Sequence, residues 1–142
     1  MISVPSLIKQ FQSITSFEFS AQSSPPSKMS WNRSGSGTTT VTGDDNTVYF
    51  DDYVISNQKA LDKKKWIFTE NKLEFWHHQQ GDYLHVFDFD LSTETKEFVS
   101  VVPHICLDDH YTGILSLTGQ TITFSIFIKS QVKNEEIRYV YG

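Results

Sequence analysis

Residues 66–90 read WIFTENKLEFWHHQQGDYLHVFDFD, which is three apolar runs separated by the short polar breaks TEN and QQGD. The runs are rich in aromatic and branched side chains, which favour β-strands. Neither break has room for a helix, so consecutive strands must pair in antiparallel fashion. This stretch therefore predicts an antiparallel meander of short strands.

The same rhythm continues on both sides of this stretch. Residues 29–142 contain further turn-forming breaks, which are GDDN, SNQKALDKK, STET, CLDD, LTGQ and KSQVKN. We count about nine or ten strands in this region. The economical closure of such a meander is an up-and-down barrel, because closure removes exposed strand edges. The predicted fold is therefore an all-β antiparallel barrel.

The N-terminal residues 1–15 have a different pattern. Apolar residues recur there at three- and four-residue steps: Val4, Leu7, Ile8, Phe11 and Ile14. This spacing predicts a short amphipathic helix, with Ser3 as its N-cap and Pro5 in its first turn.

Side-chain parity predicts which residues share a face of each strand. In DYLHVFDFD, strict alternation places Tyr83, His85, Phe87 and Phe89 on one face and Leu84, Val86 and Asp88 on the other. Both faces are largely apolar. A barrel with a helix or a partner subunit against its outside would explain this pattern, and so would a β-sandwich.

The length and charge of the chain argue against several classes of protein. The 142 residues fit a single domain spanning 1–142, and aromatic residues make up 14% of the chain. The net charge is −5, and Lys and Arg are dispersed except at residues 63–65, so nucleic acid is not expected as a partner. The lysine triplet predicts a solvated strand end or a protected edge.

The sequence also bears on the compartment. A single cysteine cannot form an intramolecular disulfide, and MISVPSLIKQFQS lacks both a basic leader and a long apolar run. No stretch reaches the ~18 apolar residues that a membrane-spanning helix needs. We therefore predict an intracellular, cytoplasmic protein with no membrane partner.

Four segments in the C-terminal half occur in a distinctive order: WIFTENKLEFWHH, LHVFDFD, PHICLDDHYTG and VKNEEIRYVYG. Over residues 31–142 the chain resembles an uncharacterised family of small bacterial proteins with a lipocalin-like (calycin-like) barrel. The matching positions are His85, Phe87, Asp88, His104, Cys106, Asp109, Tyr111, Lys133, Asn134, Glu135, Ile137 and Tyr141. The chain has Gln131-Val132 where the family commonly has Gly-Pro, and it lacks the family's N-terminal Gly-x-Trp. The resemblance implies a fold and an interior cavity, and no established reaction.

A ligand-binding barrel needs an aromatic wall with a few convergent polar groups. His85 beside Tyr83, His104 beside Cys106, and Tyr111 after the next turn would supply such groups. We predict that these side chains contact the ligand.

The only arginines are Arg33 and Arg138. An inward arginine would mark a carboxylate or phosphate on the ligand, because the guanidinium fork matches those groups. Alternatively, Arg138 lies outside and pairs with Glu135 or Glu136. Trp31 on the same face as Arg33 would contact the ligand or close the barrel as a stacked plug.

Residues 104–110 allow two further interpretations. His104, Cys106, Asp109 and His110 would be the ligands of a zinc site. Cys106 would be a nucleophile with His104 or His85 as its base. The competing interpretations are a structural histidine and a small buried cysteine. The acidic pairs at 44–45 and 51–52 need only turn or surface roles, and the glycines of SGSGTTT, with Gly113, predict sharp bends or bulges.

The sequence therefore predicts a barrel that binds a small, partly apolar molecule, with no catalytic residue, metal or cofactor assigned. The first alternative is a hydrolase- or isomerase-type enzyme that uses His104, Cys106 and Asp109. The second is a barrel filled by its own aromatic side chains, which acts through a surface as a homodimer.

Overall fold

The computed structural model describes residues 3–25, 27, 32–55 and 60–142. Within these ranges the chain forms one helix and eleven strands. They are α1 (Val4–Gln12), β1 (Ser16–Ser23), β2 (Arg33–Gly43), β3 (Thr47–Val54), β4 (Ala60–Phe68), β5 (Lys72–Gln79), β6 (Asp82–Asp90), β7 (Glu97–Val99), β8 (His104–Cys106), β9 (Asp109–Thr118), β10 (Thr121–Lys129) and β11 (Asn134–Tyr141). No helix in these ranges has the length and apolarity to cross a bilayer.

The strands form one antiparallel sheet in the order β6-β5-β4-β3-β2-β1-β11-β10-β9-β7, and β8 pairs with β9 off this path. A bridge between Phe89 and Ser100 brings the two ends of the sheet together. The backbone N–H of Val101 also donates to the carbonyl of Asp88 at 2.8 Å. The result is a nearly closed barrel of ten strands, which confirms the predicted fold class.

The predicted N-terminal helix is present and closes one end of the barrel. Ser3 is its N-cap and accepts a hydrogen bond from the N–H of Ser6, and Pro5 lies in the first turn. Phe11 is fully buried. Its ring lies 5.1–5.7 Å, centroid to centroid, from the rings of Phe50, Trp66 and Phe68. The helix therefore forms the floor of the barrel.

The half of the barrel next to α1 is filled by aromatic side chains. Its largest fully buried rings are Phe11, Phe50, Trp66, Phe68, Phe75, Phe87, Phe89, Phe124 and Tyr141. Gly113 makes room for two of them, because a Cβ there would lie 2.8 Å from ring atoms of Phe87 and 3.1 Å from Phe89. The glycine thus allows close packing of rings against the backbone.

The strict alternation predicted for β6 is wrong. Phe75 pairs with Phe87, but the next residue along β5, Trp76, pairs with His85, so Val86 is an extra residue at a β-bulge. Phe87 is buried in the core. The ring of His85 instead packs against Trp76 on the outer face. A bulge reverses the parity of every residue beyond it.

Candidate functional site

The other half of the barrel contains a cavity with two adjoining lobes. The first lobe has a volume of about 300 Å³ and the second about 290 Å³. Four side chains line both lobes, which are Asp62, His77, Ile137 and Tyr139. Aliphatic side chains form much of the first lobe, namely Leu84, Val86, Ile126 and Ile128. The second lobe is lined by other apolar side chains, which are Phe17, Phe19, Ala21 and Val54.

A buried group of charged residues, which we call the polar cluster, lies between the aromatic core and the lobes. It consists of Asp52, Asp62, Lys64, His77 and Tyr141. The ammonium of Lys64 donates to Asp52 Oδ2 at 2.7 Å and to Asp62 Oδ2 at 2.5 Å. The Lys64 side chain is 1% exposed. A charge so fully removed from water is tolerated only when it is paired.

Each carboxylate of the cluster has further donors. Asp52 accepts hydrogen bonds from the hydroxyls of Thr39 at 2.8 Å and Tyr141 at 2.7 Å. Asp62 Oδ1 accepts from His77 Nε2 at 2.6 Å. On the other side of the imidazole, the amide nitrogen of Gln79 lies 3.0 Å from His77 Nδ1. These two contacts hold the imidazole between the side chains of Asp62 and Gln79.

The environment shifts the protonation equilibria of this cluster. Burial opposes ionisation of Asp62, but the charge of Lys64 and the hydrogen bond from His77 outweigh it and hold the pKa of Asp62 well below its usual range. Burial would lower the pKa of Lys64. The oxygens of Tyr139 and Tyr141 and the two carboxylates instead raise that pKa well above its usual range. Asp62 and Lys64 are therefore both charged at neutral pH.

The strand pattern explains why a lysine lies inside the barrel. Along β4, Lys64 has the same parity as the buried Trp66 and Phe68, and Lys65 has the opposite parity. On β3, Asp52 shares its face with the buried Phe50. The predicted solvated role for the lysine triplet is wrong at Lys64, and the predicted turn or surface role for the acidic pair at 51–52 is wrong at Asp52. Parity shared with buried aromatic residues was the signal that would have identified both.

His104 and Tyr111 line the first lobe. The two residues pair across the β8–β9 hairpin, and their ring centroids are 5.8 Å apart. Burial is the main reason why the pKa of Tyr111 is raised, and Asp109 and Cys106 add to it. Cys106 lies on the same face of the hairpin and is exposed, so the expectation of a buried cysteine is wrong.

His85 and Tyr83 on β6 were also predicted to contact the ligand, and the structure gives both of them other partners. His85 borders the first lobe, but its Nε2 is bonded to Asp88 Oδ1 at 2.8 Å, and its ring contacts Trp76. Tyr83 contacts Tyr49 on the outside of the barrel, where the ammonium of Lys65 lies 5.0 Å from its ring centroid. The bulge at Val86 accounts for both placements.

The two arginines differ. Arg33 is exposed and lines the second lobe. Arg138 alternates with the inward Ile137 and Tyr139 and lies in a separate outer groove with Glu18 and Ser34. Trp31 lies outside the described residues.

The structure does not bring the four predicted zinc ligands together at one point. The alternating pairs of the β8–β9 hairpin place His110 on the opposite face from His104. The carboxylate of Asp109 accepts a hydrogen bond from the ammonium of Lys133 at 2.8 Å. In the part of the chain that the structure describes, one set of potential metal ligands does converge, and it is Glu74, His85 and Asp88, with ligand atoms within 4.8 Å of one another.

Comparison with known proteins does not assign this chain to a group. No family model matches it, and no curated protein or solved structure is significantly similar to it. The resemblance to lipocalin-like proteins therefore stays a prediction.

Proposed function

We propose that this protein binds a small, partly apolar molecule in the two-lobed cavity of its barrel. The observation that carries this proposal is a hollow with largely apolar walls, into which part of the buried polar cluster projects. Ligand sites typically combine a concave apolar surface with a few well-positioned polar groups. A cavity of about 300 Å³ per lobe lies at the lower end of the range for such sites.

The cost of forming the cavity supports this proposal. Apolar walls that face an empty or water-filled hollow lose packing contacts, and a matching apolar ligand would restore them. The hydrophobic gain is about 25 cal/mol for each Å² of apolar surface removed from water, before the costs of association. The barrel fills its other half with aromatic rings, so the hollow is not an unavoidable result of the fold.

Mass spectrometry of gently desalted protein tests this proposal directly. A bound metabolite should appear as an added mass that disappears on denaturation. Ile137 lines both lobes, so Ile137→Trp should fill the cavity and abolish the added mass. Val140→Trp is the matched control, because Val140 lies in the outer groove. An added mass that survives in Ile137→Trp protein would contradict the proposal.

A second candidate function is self-association through the outer surface. Val99, Val101, Val102 and Ile105 are close in sequence, and each is more than half exposed. Clustered exposed apolar residues are typical of protein interfaces. Sedimentation of the wild type and of Val101→Asp tests this candidate. A dimer that the aspartate dissociates supports it, and a monomeric wild type at high concentration excludes it.

A further inference from the structure

The charged groups at the cavity differ in how accessible they are. Among the described residues, the two lobes are lined by the carboxylates of Asp52 and Asp62, the ammonium of Lys64 and the guanidinium of Arg33. Glu135 has the same strand parity as Ile137 and pairs with Ile128, so it faces the inside of the barrel, but it is buried outside the lining of the lobes. The hydroxyls of Ser23 and Ser27 donate to it, and they carry no charge.

The buried ammonium is not available to a ligand. Lys64 donates to two carboxylates, and its remaining side faces the ring of Tyr139, with the nitrogen 3.9 Å from the ring centroid. An incoming anion would have to displace a carboxylate or the aromatic ring. The cluster therefore offers hydrogen-bond acceptors to the cavity, and no free positive charge.

Asp62 is the acceptor that a ligand can reach. Its side chain is 33% exposed, whereas that of Asp52 is 1% exposed. It lines both lobes. Each oxygen of a carboxylate accepts about two hydrogen bonds, and Lys64 and His77 use one on each oxygen. Asp62 thus retains acceptor capacity at the junction of two apolar lobes.

We propose that the ligand is a small organic amine, whose ammonium group donates to Asp62 while its apolar body fills a lobe. This inference rests on the proposed function and adds the chemical class of the ligand. A charge-assisted hydrogen bond to a carboxylate is roughly twice as strong as a neutral one. The aromatic rings of Phe75 and Tyr111 in the first lobe also suit a cation. Two cations oppose this assignment: Lys64 already neutralises part of the Asp62 charge, and Arg33 in the second lobe is exposed and would favour an acidic ligand.

Calorimetric titration with three probes of equal chain length tests the amine class. The probes are n-octylamine, n-octanol and n-octanoate, which share an apolar body and differ in the charge of the head group. We expect n-octylamine to bind at least about tenfold more tightly than n-octanol. We expect n-octanoate to bind most weakly.

Asp62→Asn should remove the preference for the amine and leave the affinity for n-octanol within about twofold. The matched control is Asp51→Asn, since Asp51 is the outward neighbour of Asp52, and it should retain the preference. If Asp62→Asn does not fold, the ranking of the three probes on the wild type still tests whether the ligand is an amine.

Equal affinity for n-octylamine and n-octanol, or tightest binding of n-octanoate, would overturn the amine class and leave the proposed cavity function intact. Tightest binding of n-octanoate would assign the ligand contact to Arg33. Failure of all three probes to bind folded protein would contradict the cavity function itself.

Discussion

Replacement of Lys64 by methionine is the perturbation that best tests the interior described above. Methionine keeps most of the aliphatic stem and removes the ammonium. Asp52 would then retain its hydrogen bonds from Thr39 and Tyr141 but would have no counter-ion, and its side chain is 1% exposed. A buried carboxylate without a counter-ion is strongly unfavourable.

The expected loss is large for a single substitution. Removal of one partner from a buried ion pair costs about 3–5 kcal/mol in the free energy of unfolding. The matched control is Lys65→Met. Lys65 lies on the outer face with its ammonium 4.4 Å from the ring centroid of Trp76, and loss of this contact should cost about 0.5–1 kcal/mol.

Urea unfolding followed by tryptophan fluorescence measures both losses, because Trp66 is fully buried in the core. The double variant Lys64→Met, Asp52→Asn should lose less than the sum of the two single losses, by about 1–3 kcal/mol.

A cost below about 1 kcal/mol for Lys64→Met, or a cost equal to that of Lys65→Met, would contradict a fully buried and paired ammonium. Either result would mean that the ammonium of Lys64 reaches water in solution.

Three other predictions concern the cluster, the packing and the floor of the barrel. The lowered pKa of Asp62 stabilises the folded protein at pH values above the unfolded pKa near 4. This contribution is lost as the pH falls toward the folded pKa. Urea unfolding at a series of pH values should therefore show a smaller loss of unfolding free energy on acidification for Asp62→Asn than for the wild type. Gly113→Ala should destabilise the protein by about 1–3 kcal/mol because its Cβ would overlap the ring of Phe87, while Gly142→Ala, which meets open space, should leave the urea midpoint unchanged. Phe11→Ala should cost about 3–5 kcal/mol by opening the floor of the barrel, measured as a fall in the same midpoint; a loss below about 1 kcal/mol would mean that the helix does not plug the barrel.

The parts of the fold that local rules determine were predictable from the sequence. Ser3, Pro5 and the spacing of Leu7 and Phe11 specify the helix through backbone capping and one apolar face. Short breaks between strands determine antiparallel neighbours, because no crossover fits in them. The closure of the sheet followed from the need to cover its edges.

The β-bulge was not predictable in the same way. It depends on the register between Trp76 and His85, and the local sequence around Val86 alternates as a regular strand would. One inserted residue moved Tyr83 to the outside of the barrel and placed the ring of His85 against Trp76, although His85 still borders the first lobe. His104 and Tyr111 remained at the cavity because β8 and β9 pair without such a shift.

The polar cluster was missed because several of its contacts join residues that are far apart in the sequence. The hydroxyl of Tyr141 bonds to Asp52 across 89 positions of the chain, and Lys64 reaches Asp52 across 12. Within the triplet at 63–65, Lys64 has two lysines as neighbours, a pattern typical of solvated strands. The parity that Lys64 shares with Trp66 indicates burial, but its counter-ion Asp52 on the neighbouring strand is evident only in the folded structure.

Titration of isotopically labelled protein with n-octanol, followed by backbone and methyl NMR, tests whether the cavity takes up a ligand. We expect saturable shifts at Ile126, Ile128 and Ile137, with little change at the outward Trp76 and Val140. Shifts confined to the outer face, or none at concentrations that saturate other apolar sites, would show that the hollow in the barrel does not accept a ligand.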